Sequence, residues 1–288
     1  MRVGVIGGGT MGIGIAHRFA ANGYDVHLVD VDLSTAQGAV ERVAATLQAA
    51  VDRAKLTVAE RDSAIGGLHA HGSIDDMPEG LDLIIEAVIE DAELKGSILD
   101  AAQRRNPTTL ASNTSSISID RLASSLGDPT SFAGMHFFNP VWAMHLVEVV
   151  RGSATSDDTL ARIVATVERL GMEHAVINDA PGFATSRLGV LVGIEAIRMV
   201  ETGVASPVDI DTAMRLGYGH PMGPLMLGDL VGLDVRLGIA EHLASVYGSR
   251  FEPPDLLRRM VADGRLGKKS GLGFYDWSSG SAEPIEES

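Results

Sequence analysis

Short apolar runs alternate along the first 180 residues with longer stretches in which apolar positions recur every three to four residues. The first run, residues 3–6, is bounded by glycine and reads as a buried strand. Behind Gly7-Gly8-Gly9-Thr10-Met11-Gly12, the positions Ile13, Ala16, His17 and Ala20 predict a helix over 10–22, with Gly23 as its left-handed stop. Residues 26–29 form a second apolar run, closed by Asp30. Further strands are predicted at 81–88, 109–112, 131–138, 146–150 and 174–177. Helices are predicted at 38–51, 56–65, 91–103, 119–126 and 157–170. Thr57 and Glu60 stand at capping-box spacing, and Ser118 precedes its helix as a cap. Strands alternating with helices predict an α/β fold with a doubly wound, mostly parallel sheet.

After Pro181-Gly182 the strand pattern stops. Helices are predicted at 183–202, 207–216, 225–230, 233–247 and 254–262. The expected organisation is therefore a sheet domain over 1–180 and an all-helical domain over 181–288. A helical domain of that size is expected to self-associate. No internal repeat is present.

Composition narrows the chemistry. Cysteine is absent, which excludes disulfides, thiolate metal sites and thiol catalysis. The formal net charge of −15 opposes nucleic acid and anionic lipid as partners. No apolar run reaches the ~18 residues of a membrane span. Residues 3–16 carry no charge, as in a signal peptide, but six glycines in that stretch argue against one, and a cytoplasmic location is expected.

The glycine-rich turn is the first candidate site. Gly7 permits the tight turn out of the strand, Gly9 lets a pyrophosphate approach the backbone, and Gly12 lets the helix pack closely. The helix N-terminus presents free N–H groups to phosphate. Asp30, about 20 residues on, is placed to accept from an adenosine ribose. No arginine directly follows Asp30, and Asp32 adds a second carboxylate, so NAD is favoured over NADP. These features predict a Rossmann-type dinucleotide-binding domain; a glycine-rich turn without a ligand is the bland alternative.

Hydride transfer to such a coenzyme needs a base for the hydroxyl proton, and histidine is the usual choice. His17, His27, His69 and His71 have no nearby carboxylate of obvious role in the sequence. His136 differs, since it closes an apolar strand in Gly134-Met135-His136-Phe137-Phe138-Asn139-Pro140. Glu148 lies inside Leu146-Val147-Glu148-Val149-Val150, where an unpaired ionised carboxylate costs several kcal/mol. A short connection joins the two strands, so a carboxylate behind an imidazole is expected, with two separate core polar groups as the alternative. The polar run Ser112-Asn113-Thr114-Ser115-Ser116 follows another strand, where it faces the coenzyme crevice or simply caps the next helix. No metal-ligand spacing stands out; Glu241 and His242 adjoin rather than lie one turn apart.

Taken together, these motifs resemble those of the 3-hydroxyacyl-CoA dehydrogenase family, most of all its short bacterial 3-hydroxybutyryl-CoA branch. The similarity runs from the glycine turn through Glu86-Ala87, Glu90, Lys95, residues 112–116, the His136 and Glu148 strands and Pro181-Gly182-Phe183. It continues through Pro221-Met222-Gly223-Pro224 to Gly271-Leu272-Gly273-Phe274-Tyr275. The resemblance implies two domains, a homodimer formed through the helical one, and CoA lying between them. It implies NAD-dependent oxidation of an (S)-3-hydroxyacyl-CoA, or the reverse. By the same resemblance His136 is the base, Glu148 its partner and Ser115 a contact to the substrate oxygen. Gly7, Gly9, Thr10, Met11, Gly12, Asp30, Glu90, Lys95 and Asn113 are implied coenzyme contacts. Asn139 and Ser186 are implied substrate contacts, and Lys55 a ligand for CoA phosphate. The family usually carries asparagine at the position of Ser186, proline at Trp142 and lysine at His145. Two alternatives remain at this point: a related hydroxyacid or sugar-acid dehydrogenase that does not use CoA, and a non-catalytic NAD-binding scaffold.

Overall fold

The computed structural model describes residues 1–285. It divides into two compact units, the second beginning at Ala184. The first unit runs β1 (Arg2–Ile6), α1 (Thr10–Ala21), β2 (Asp25–Val29), α2 (Leu33–Asp52), α3 (Val58–Gly66), β3 (Leu68–His71) and β4 (Leu83–Glu86). It continues with α4 (Ala92–Gln103), β5 (Leu110–Ser112), α5 (Ile119–Ala123), β6 (Phe132–Phe137), β7 (Leu146–Arg151), α6 (Asp157–Arg169) and β8 (Glu173–Asn178).

The strands form one eight-stranded sheet in the order β3-β2-β1-β4-β5-β6-β7-β8. Every neighbouring pair is parallel except β6–β7, which a short connection makes antiparallel. Side chains alternate along each strand and feed two apolar clusters. Val3, Val5, Phe19, Val43 and Ile163 belong to one, which α1, α2 and α6 share. Ile6, Ile84, Leu99, Leu122 and Phe132 belong to the other, which α4 and α5 share. Helices thus cover both faces, as a doubly wound sheet requires.

Three local results differ from the sequence reading. The strand β3 is not marked by an apolar run; Leu68-His69-Ala70-His71 is an edge strand whose polar positions hide its pairing with β2. Helix α2 starts five residues earlier than its apolar pattern suggests, because the Asp32 carboxylate accepts from Thr35 N–H at 2.7 Å and caps it. Helix α5 ends at Ala123, short of residue 126. The Thr57–Glu60 capping box forms as expected.

The second unit contains α7 (Thr185–Glu201), α8 (Pro207–Tyr218), α9 (Pro224–Val231), α10 (Leu233–Tyr247) and α11 (Asp255–Ala262). A two-stranded antiparallel pair, β9 (Tyr275–Asp276) and β10 (Glu283–Pro284), was not foreseen. It is held by a buried carboxylate: Asp229 on α9 accepts from the N–H groups of Phe274 and Tyr275 and from Trp277 Nε1, at 2.9–3.0 Å. Among the described residues no helix is long and apolar enough to cross a membrane.

Candidate active site

Because β1, β2, β4, β5 and β6 all run parallel, their C-terminal ends and following loops share one edge of the sheet. The glycine turn, Asp30, the Glu86–Glu90 loop, the Asn113–Ser116 loop and His136 are therefore gathered by topology before any side-chain contact is considered.

The turn after β1 is built around missing side chains. Gly7 has φ +105°, a conformation that an L side chain rarely adopts. A Cβ on Gly12 would fall 1.7 Å from the Gly7 carbonyl oxygen, so α1 could not start where it does. Gly9, Thr10 and Met11 open α1; Gly9 is exposed, and the place of its absent Cβ is open space. No side chain caps this helix, which leaves its first N–H groups for an anion. The turn therefore fits the pyrophosphate of a dinucleotide. Asp30, the expected ribose acceptor, follows β2, and its carboxylate accepts from Gly8 N–H and Val31 N–H, both at 2.7 Å. The sequence reading missed Arg42, twelve residues beyond Asp30, which donates to the Gly8 carbonyl at 3.0 Å. No local pattern signals this contact, because it joins the middle of α2 to the turn after β1.

The loops after β4 and β5 are locked by two carboxylates. Glu86 is fully buried and accepts from Lys95 Nζ at 2.7 Å, Val88 N–H at 2.6 Å and Ser112 Oγ at 2.6 Å. Glu90, with 35% of its side chain exposed, lies 3.4 Å from the same Lys95 ammonium. One of its oxygens accepts from Thr114 Oγ1 at 2.6 Å and from the N–H groups of Ser115 and Ser116 at 2.9 and 3.0 Å. Burial raises the Glu90 pKa, but the Thr114 hydroxyl, the Lys95 charge and the serine donors outweigh it and hold the carboxyl below its ordinary range. Lys95, expected as a coenzyme contact, is held inside this network. Its side chain has no exposed surface, and its ammonium is spent on Glu86, Glu90 and the Val88 carbonyl. Ser115 is exposed, and its hydroxyl lies 3.2 Å from Glu90.

His136 and Glu148 face each other directly across the antiparallel β6–β7 pair. His136 Nδ1 lies 2.8 Å from Glu148 Oε2; His136 is 7% exposed and Glu148 fully buried. An ionised carboxylate only accepts, so this bond places the proton on Nδ1 and leaves the Nε2 lone pair available. The rings of Phe138 and Phe183 pack around the imidazole with centroids at 4.5 and 5.9 Å. Asn113 is buried, and its Oδ1 accepts from Phe137 N–H at 2.8 Å, which ties the loop after β5 to the end of β6.

The remaining expected residues are less engaged. Asn139 is exposed just beyond β6, and Lys55 is exposed in the turn after α2. Ser186 lies in the first turn of α7, in the second unit. Trp142, one of the departures, packs edge-on against the His17 ring at 5.9 Å.

Comparison with known proteins identifies the family. Residues 2–180 match the model of the 3-hydroxyacyl-CoA dehydrogenase NAD binding domain, and residues 182–277 that of the 3-hydroxyacyl-CoA dehydrogenase C-terminal domain. A probable 3-hydroxybutyryl-CoA dehydrogenase of Deinococcus radiodurans is 43% identical, over 96% of this chain and 100% of the relative. The 3-hydroxybutyryl-CoA dehydrogenase of Clostridioides difficile is 39% identical over the same shares. The crystal structure of (S)-3-hydroxybutyryl-CoA dehydrogenase PaaH1 from Ralstonia eutropha superposes with a TM-score of 0.91 at 41% identity, covering 96% of this chain and 98% of that one. On both of its domains, this chain belongs to the 3-hydroxyacyl-CoA dehydrogenase family.

Proposed function

We propose that this chain oxidises a short (S)-3-hydroxyacyl-CoA to the 3-ketoacyl-CoA, with His136 as general base and Glu148 as its buried partner. The family makes it an NAD-dependent oxidoreductase. The observation that carries the residue assignment is the 2.8 Å bond between His136 Nδ1 and the fully buried Glu148. In oxidation, His136 Nε2 takes the proton of the substrate's 3-hydroxyl, and the Glu148 carboxylate stabilises the imidazolium that results. Bound NAD supplies the acceptor for the hydride that leaves carbon 3. In reduction the imidazolium returns the proton to the forming alkoxide. Glu148 also keeps the ring in the tautomer that accepts at Nε2.

Other residues position the reactants. The α1 N-terminus and Asp30 hold the coenzyme's pyrophosphate and ribose, and Glu90 orders the Asn113–Ser116 loop beside it. Ser115, Asn139 and Ser186 serve as substrate contacts, and exposed Lys55 as a cation for CoA phosphate. Serine in place of the family's usual asparagine at 186 shortens one contact, so Ser186→Asn is expected to raise kcat on a four-carbon acyl-CoA. The helical unit serves as a homodimer face. Exposed Leu188, Leu216 and Tyr218, at 62–80%, support that reading, and light scattering at two concentrations measures it.

The test is NADH formation with (S)-3-hydroxybutyryl-CoA, free 3-hydroxybutyrate and a sugar acid, on wild type and His136→Gln. Turnover of the thioester alone, abolished in the variant with NAD affinity within a few-fold, is the expected result. Equal turnover of the free acids points to a CoA-independent hydroxyacid dehydrogenase. Absence of turnover on every substrate points to an NAD-binding scaffold.

A further inference from the structure

Three histidines that the mechanism does not use meet at the outer edge of the sheet. Alternation places Asp25 and His27 on one face of β2, and His69 and His71 on one face of β3. The parallel register sets His27 opposite His69, so all four side chains share that face. The sequence reading found no carboxylate of obvious role near these histidines. Asp25 corrects this, two residues before His27 and 44 before His69. His69 Nε2 lies 2.7 Å from Asp25 Oδ1, and His27 Nε2 lies 3.6 Å from Asp25 Oδ2. The His27 and His69 rings stack with centroids 4.8 Å apart.

We propose that Asp25, His27 and His69 bind one divalent transition-metal ion of the zinc class. One ligand atom from each residue lies within 4.8 Å of the other two. Around a tetrahedral ion at zinc's bond lengths, such atoms stand about 3.3 Å apart, so binding would draw the three ligand atoms closer together. Two imidazole nitrogens and one carboxylate oxygen select a borderline metal such as zinc over magnesium or calcium, which take oxygen ligands. Water completes the coordination. The His27 ring is already oriented to ligate, since its Nε2 faces Asp25 while its Nδ1 lies 2.9 Å from His71 Nε2. Its Nδ1–H can donate to His71 Nε2, a nitrogen acceptor in the place where metal-ligating histidines usually have a carboxylate, carbonyl or water. Arg2, whose charge acts on His27, has its guanidinium drawn to the Gly80 carbonyl at 2.9 Å. The ion would cross-link edge strand β3 to β2. The bland reading is a hydrogen-bonded histidine cluster sharing one aspartate.

The test uses the full chain, stripped with EDTA and dialysed against micromolar zinc chloride. Bound zinc, the visible spectrum of the cobalt(II) form and Tm with and without zinc are measured. His69→Gln is the first variant, because the side chain is 45% exposed and its loss spares the core. Asp25→Asn is the second, so that one unfolded variant does not end the experiment. His145→Gln, an exposed histidine elsewhere, is the control. The expected result is one zinc per chain, a tetrahedral cobalt spectrum and a Tm rise of about 3 °C or more. Affinity is expected to fall at least about tenfold in both site variants and to hold in the control. No zinc bound by wild type, or unchanged binding in Asp25→Asn or a folded His69→Gln, would overturn the site.

Discussion

The sheet buries two glutamates that look alike in sequence and differ in consequence. Glu86 ends β4 in Leu83-Ile84-Ile85-Glu86, and Glu148 lies in β7 within Leu146-Val147-Glu148-Val149-Val150; both are fully buried. Glu86 is paired with Lys95, itself wholly buried, at 2.7 Å. Glu148 is paired with His136 at 2.8 Å. An ammonium set between two carboxylates acts as a fixed clasp. An imidazole can take up and release a proton, and His136 has its second ring nitrogen outside the pair. Both carboxylates lie in apolar strands, so in the proposed function it is the partner that decides whether a buried carboxylate holds a loop or serves a reaction.

Substitutions should separate the two pairs. The largest effect on turnover is expected from His136→Gln. The glutamine amide still reaches Glu148, so the fold survives while kcat falls by about 10²–10⁴-fold with the loss of the base. Steady-state rates and a melting curve on the same sample check both halves. Lys95→Met should do the reverse at the other pair. It leaves Glu86 buried without its cation, at a cost of about 3–5 kcal/mol in urea unfolding. Adding Glu86→Gln to Lys95→Met should recover part of that loss, because the uncompensated charge is gone.

Smaller effects refine the coenzyme end. Asp30→Ala removes a charged acceptor that also anchors Gly8 N–H, and is expected to weaken NAD by about 10–100-fold in fluorescence titration. NADP affinity should change far less. The smallest effect concerns Glu90, whose carboxyl is held below its ordinary value of 4.5 in the folded state. The unfolded chain then binds the extra proton first as pH falls. The contribution of Glu90 to stability is therefore present above about pH 4.5 and disappears as pH drops through the depressed value. Glu90→Gln should flatten that part of the acid-unfolding curve, read as Tm between pH 5 and 3.

Much of this was legible in the sequence, for identifiable reasons. The glycine turn, Asp30 and the strand–helix alternation are local patterns, and local patterns set β1, α1 and β2. His136 and Glu148 stood out because polar groups in apolar strands need partners. The same reasoning was open for Glu86, but no spacing marks Lys95 on α4 as its partner; the resemblance gave Lys95 only as a coenzyme contact. Edge strand β3 stayed hidden because half-exposed strands need no apolar run. The proximity of Asp25, His27, His69 and His71 followed only from its register with β2. Arg42 and the Asn113–Phe137 bond join segments by tertiary contact, which no local pattern encodes.

The central claim is that His136 and Glu148 act as one unit in proton transfer. A double-mutant cycle on kcat/KM for (S)-3-hydroxybutyryl-CoA, with His136→Gln, Glu148→Gln and the pair together, measures it directly. If the glutamate works only through the imidazole, the double variant will be about as slow as His136→Gln alone. Losses that multiply would contradict the account.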